Sequence, residues 1–151
     1  MKFAKIGVAT LALLGAGIAP VTLTATPADA ASCSGRLLYP TIAIKKGNTT
    51  YGVLKLYYNS STGKNCARVD RTVDYGTRKG MILSLYACGK GWSVNKCHRD
   101  FYDVGQDSGQ FAKYAGPVTV NGRDRCLQVQ ANVQARNNSW AFYNSPLFHC
   151  D

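Results

Sequence analysis

The sequence predicts an all-β fold: a single small antiparallel β-sandwich or barrel, stapled by disulfides and preceded by a cleaved signal peptide. Three observations carry this expectation. Apolar residues recur with a period of two, turn-forming residues interrupt them about every ten positions, and all six cysteines lie beyond residue 30. No stretch has the apolar stripe, caps and length that mark a helix, and no parallel crossover is required.

Residues 1–30 read as an export signal. Lys2 and Lys5 form a positive start, Ile6 to Ile18 is uncharged and mostly apolar, and Pro20 ends any helix there. Ala28-Asp29-Ala30 places small residues where signal peptidase selects them, so the cut is expected after Ala30. A cut after Ala31 would put Asp29 in a small-residue slot. The apolar run is shorter than the ~20 residues that span a bilayer, and no other stretch comes near that length, so the mature chain is expected to carry no transmembrane segment. No Cys stands at the cut, which argues against a lipid anchor. The mature domain, 31–151, has 121 residues. That length makes one domain able to bury roughly two thirds of its unfolded surface.

Strands follow in order. In Tyr51 to Tyr58, Leu54, Leu56 and Tyr58 share one face, opposite Val53, Lys55 and Tyr57. Ala67, Val69 and Val73 alternate with Arg68, Asp70 and Thr72. Met81, Leu83 and Leu85 share a face, and Val118 and Val120 flank Thr119. The clearest alternation sets Leu127, Val129, Ala131 and Val133 against Gln128, Gln130, Asn132 and Gln134, a half-buried strand with a polar outer face. Asn59 to Asn65, Asn121-Gly122 and Asn137-Asn138-Ser139 supply the turns between these runs.

Cys33, Cys66, Cys88, Cys97, Cys126 and Cys150 form an even set behind an export signal, which reads as a disulfide framework. Cys88 and Cys97 flank a turn-rich segment and are expected to pair. The other four make two longer bridges, expected as Cys33–Cys66 and Cys126–Cys150 because each ties a chain end to a neighbouring strand. No CxxC pair occurs and the spacings are wide, so no metal site is expected.

Charge is one-sided. The mature domain has sixteen Lys and Arg, seven Asp and no Glu, a net charge of +9. Such a field favours anionic partners, of which envelope components are one class, or serves solubility. The basic residues are scattered: Lys45-Lys46 and Arg78-Lys79 are the adjacent pairs, and no basic run or nucleic-acid motif appears. These four residues are the charged interaction candidates. Trp92 is the aromatic one to watch, since Gly91 and the Cys88–Cys97 staple could hold it on an exposed loop, although packing is the favoured reading for it as for the other aromatics.

No constellation assembles an active site. Asp100, Asp103 and Asp107 fall in a turn-rich segment and read as caps and turn formers. His98 and His149 each adjoin a cysteine, and no nucleophile-elbow sequence occurs. A small basic ribonuclease is the enzymatic alternative, and it would need His98 and His149 to meet across one cleft with a Lys. Catalytic residues, cofactors and metals are all expected to be absent.

Two blocks, LYYNSSTGKNC (Leu56 to Cys66) and DSGQFAKYAGPVTV (Asp107 to Val120), resemble the spore-associated protein A family, small secreted proteins of filamentous actinobacteria. The first block contributes Tyr58, Asn59, Ser60, Thr62, Gly63, Lys64, Asn65 and Cys66. The second contributes Gly109, Gln110, Tyr114, Ala115, Gly116 and Pro117. Ser108 interrupts the family's Asp-Gly-Gln, and the segment around Cys88 and Cys97 looks like an added, locally stapled excursion. The resemblance implies export and association with the cell or spore surface, and it brings no catalytic residues. The expected function is therefore a secreted, non-catalytic structural or interaction protein. The alternative is a binding module or protease inhibitor presenting the 88–97 loop, where bracing would lower the entropy cost of docking.

Overall fold

The period-two runs pair into two antiparallel sheets in a computed structural model, which describes residues 32–150. The signal peptide assigned to residues 1–30, its cut after Ala30, and Asp151 lie outside the described residues. The elements are β1 (Arg36–Leu37), β2 (Ile42–Lys46), β3 (Thr49–Asn59), β4 (Lys64–Arg71), β5 (Lys79–Cys88), α1 (Val94–Asp100), β6 (Asp103–Phe111), β7 (Tyr114–Asn121), β8 (Cys126–Gln134) and β9 (Trp140–Asn144). One sheet runs β1-β3-β4-β7, with β2 pairing along the same edge of β3 as β1; the other runs β6-β5-β8-β9.

The core lies between the sheets. Leu54, Leu56, Ala67, Val69, Val118 and Val120 face Met81, Leu83, Leu85, Leu127, Val129 and Val133, and all are buried. Each large apolar side chain withdrawn from water stabilises the fold by about 1.5–3 kcal/mol. The predicted inward faces of β3, β5, β7 and β8 are those that pack.

The two ends of the sandwich differ. The β2–β3, β4–β5, β6–β7 and β8–β9 turns gather at one end. At the other, the terminus end, both described termini lie with all three disulfides. These are Cys33–Cys66, Cys88–Cys97 and Cys126–Cys150, the partition expected above.

Both family blocks build architecture. Asn59 Oδ1 accepts the amides of Ser61 (3.1 Å) and Thr62 (3.3 Å), and Gly63 takes φ +70° to close the β3–β4 hairpin onto Asn59. In this left-handed region a side chain would be strained. The second block makes the β6–β7 corner.

Four readings need correction. A helix, α1, stands where none was expected. It is seven residues long, too short to show an apolar stripe, and buries only Cys97. Ser93 caps it by accepting the Lys96 amide at 3.1 Å, and Lys96 pairs with Asp100 at 2.7 Å. Asp103 and Asp107 are not turn formers but strand residues on β6. Asp103 accepts the Asn121 amide at 2.8 Å and Asp107 the Gly116 amide at 2.6 Å, so two carboxylates close the seam between the sheets. Between them Gly105 lets the strands approach: a Cβ there would lie 2.9 Å from Thr119 N and O. The inward position of β4 after Val69 is Arg71, not Val73, which follows the strand. Lastly, Gln128 on the supposed polar face of β8 is fully buried, beside His98 of α1.

Candidate functional site

Strand polarity converts scattered basic residues into a cluster. Lys45 and Lys46 end β2, Arg78 and Lys79 enter β5, Lys113 lies in the β6–β7 turn, and Arg136 follows β8. All six therefore lie at the turn end, although nearly a hundred residues of chain separate the first from the last. The Thr72 hydroxyl donates to Thr50 O at 2.6 Å, joining the β2–β3 hairpin to the β4–β5 loop.

Arg71 is the internal brace of this end. It is 2% exposed and reaches from β4 to the opposite sheet, donating to Gln134 O (3.1 Å), Lys79 O (3.3 Å) and Gly80 O (3.3 Å). Burial pulls its pKa below the usual guanidinium value, and nearby Asp74 partly offsets this. Asp74 itself holds Arg136 at 2.9 Å and Lys79 at 3.9 Å, while Lys79 also donates to Arg136 O at 3.2 Å.

The four charged candidates are thus not equivalent. Lys45, Lys46 and Arg78 are exposed, whereas Lys79 is half-buried and committed to its own loop. Lys113 and Arg136 were missed because each stands alone in sequence; only the pairing of β5 with β6 and β8 brings them beside Arg78. Trp92 does not project from a loop tip. It is half-buried and stacked on Tyr102 with ring centroids 5.0 Å apart, with Lys96 Nζ 4.6 Å from its ring.

The two histidines pack against different sheets. His98 Nε2 lies 2.8 Å from Gln128 Oε1, and the Gln128 amide donates to Val129 O and Ser145 O. The Gln130 amide nitrogen lies 3.1 Å from the same ring nitrogen, so two β8 glutamines hold the imidazole in place. His149 packs edge-on against Tyr58 of β3 at 5.0 Å. Among the described residues no three His, Cys, Asp or Glu cluster as metal ligands would, and no helix is long and apolar enough to cross a membrane. A cavity of about 450 Å³ between β2 and β9 is lined by Tyr39, Ile42, Leu56, Tyr143 and Phe148 among others, and no charged side chain lines it.

No family model matches the chain, and no solved structure matches it. Spore-associated protein A of Streptomyces coelicolor is 33% identical over 141 residues, covering 85% of this chain and 82% of that protein. With identity at that level over most of both chains, and with two blocks of family pattern forming the β3–β4 hairpin and the β6–β7 corner, the chain belongs to the spore-associated protein A family.

Proposed function

We propose that this protein is a secreted, non-catalytic component of the spore or cell surface, held on an anionic envelope by the basic turn end of its sandwich. The name of its Streptomyces relative supports the spore association. The observation that carries the mode of attachment is the gathering of Lys45, Lys46, Arg78, Lys79, Lys113 and Arg136 at one end, where Asp74 is the carboxylate set among them. Absence of catalysis belongs to the proposal. It is supported by the lack of any Glu and by His98 and His149 packing against different sheets.

The inhibitor alternative finds less support. Helix α1 fills part of the 88–97 segment, and Trp92 leans on Tyr102, so the segment folds onto the body.

The test is a salt wash of envelope fragments loaded with the mature protein. The Debye length falls from ~10 Å at 0.1 M salt to ~3 Å at 1 M, so a charge-held protein should be stripped. A Lys45→Glu, Lys46→Glu, Arg78→Glu, Lys113→Glu variant, which lowers the mature net charge from +9 to +1, should fail to bind at either salt. Lys79 is left intact because it holds its loop. Retention indifferent to salt and to these four reversals would refute the proposal.

A further inference from the structure

The turn end contains one cleft whose chemistry is narrower than its charge. It has a volume of about 420 Å³ and lies between the β4–β5 loop and the β6–β7 turn, lined by Arg78, Gln110, Phe111, Lys113 and Tyr114 with Ala112 and Gly116. We infer that this cleft binds one phosphodiester unit of a polyol-phosphate or sugar-phosphate chain, Arg78 and Lys113 holding the phosphate and the aromatic wall meeting the carbon skeleton. The inference deepens the proposed envelope attachment and rests on it.

The cleft is built before any ligand arrives. Gly76 N–H donates to Ala112 O and Arg71 N–H to Lys113 O, both at 2.8 Å, so the loop carrying Arg78 is tied to the turn carrying Lys113. Arg78 Nη1 rests on Gln110 O at 3.4 Å. Arg68 stacks over the Tyr114 ring at 4.0 Å and stiffens that wall. Tyr75, 63% exposed, flanks the cleft with Lys113 Nζ 5.8 Å from its ring.

Charge accounting points to an anion. Asp70 is held by Lys55 (2.8 Å) and Arg68 (2.7 Å), and Asp74 by Arg136 and Lys79. Asp107, the carboxylate nearest the Gly116 wall, is engaged by the Gly116 amide. Neither Arg78 nor Lys113 belongs to an ion pair among the described residues. A tetrahedral phosphate can be gripped from two directions by a guanidinium fork and an ammonium, whereas a planar carboxylate is best served by the fork alone. Nucleic acid fits less well, because single-strand binding uses successive rings along a groove and these rings line a single cleft.

The experiment titrates the mature protein with poly(glycerol phosphate) at 0.15 M salt, by calorimetry and by amide chemical shifts. Polygalacturonate and single-stranded DNA of equal charge number run alongside. Two variants remove the same charge from exposed positions, Arg78→Gln/Lys113→Gln and Lys45→Gln/Lys46→Gln. The cleft pair should weaken poly(glycerol phosphate) binding about tenfold or more and the hairpin pair only about two- to threefold. Wild-type shifts should concentrate on Gln110, Lys113 and Gly116, a readout that needs no variant. Equal losses from both pairs, or shifts spread over the surface, would leave charge-held attachment standing and overturn the cleft. Tighter binding of polygalacturonate would overturn the phosphodiester assignment, and tighter binding of DNA would overturn the assignment to a chain without bases. No binding of any polyanion, together with salt-independent retention on envelope fragments, would overturn both readings.

Discussion

Sulfur holds the terminus end of the sandwich, whereas a buried guanidinium and ion pairs hold the turn end. At the terminus end both described termini are bonded to strands, Cys33 to β4 and Cys150 to β8. At the turn end every strand continues into a hairpin or loop, and local connectivity already limits fraying. There Arg71 joins the sheets through three carbonyls. The difference teaches where freedom is left. The turn end, without cross-links, sets six basic side chains around Asp74 and is braced by Arg71 and these ion pairs.

Reducing the bridges should produce the largest effect. Each should contribute roughly 2–4 kcal/mol, so losing all three should remove most of the stability of a domain this size. Thermal melts with and without reductant, with thiols counted, would measure it. Six titratable thiols and an unchanged midpoint would break the comparison, because the terminus end would then hold without its bonds.

Arg71→Met should come next, at about 3 kcal/mol in a urea titration, since carbonyls on two strands lose their donors in a dry site. Arg71→Lys should recover less than half of that loss, because an ammonium cannot fork across Gln134 O and the Lys79–Gly80 carbonyls together. A Lys variant as stable as the parent would show that charge, rather than the planar fork, braces this end.

Arg71 also marks where sequence reading stopped. The alternation in β3, β5, β7 and β8 was legible because their inward positions are apolar, and the period survives the isolation of each strand. In β4 the inward slot after Val69 holds an Arg, so the pattern broke there and Val73 was taken in its place. Strand β6 (DVGQDSGQF) was illegible for a related reason: Gly and Asp are poor strand formers, and its Asp residues serve the neighbouring edge rather than a turn. Gln128 looked solvent-facing because periodicity assigns faces but cannot say what covers them, and the cover is a seven-residue helix held by Cys88–Cys97. Four of the six residues of the candidate site were legible as adjacent pairs, Lys45-Lys46 and Arg78-Lys79. Lys113 entered it only through topology, and Lys79 dropped out of its exposed part only through its contacts with Asp74 and Arg136 O.

The seam between β6 and β7 offers the finest test, because one kind of bond recurs there in two settings. Asp103 and Asp107 are both half-buried and each accept a β7 amide, but Asp103 binds that of exposed Asn121 beside the cross-linked end, while Asp107 binds that of half-buried Gly116 toward the turn end. A charge-assisted hydrogen bond is stronger where water is scarce, and a half-buried amide that loses its acceptor is less readily hydrated. Asp107→Ala should therefore cost about 1.5 kcal/mol and Asp103→Ala less than about 1 kcal/mol. Asp107→Asn, which keeps an acceptor oxygen, should lie nearer the parent than Asp107→Ala does. Amide exchange at Gly116 and Asn121 would localise the two losses, each expected at its own partner. Equal costs at the two positions would mean that the exposure of the partner amide does not set what each bond is worth, and negligible costs at both would leave the seam to Gly105 and backbone approach.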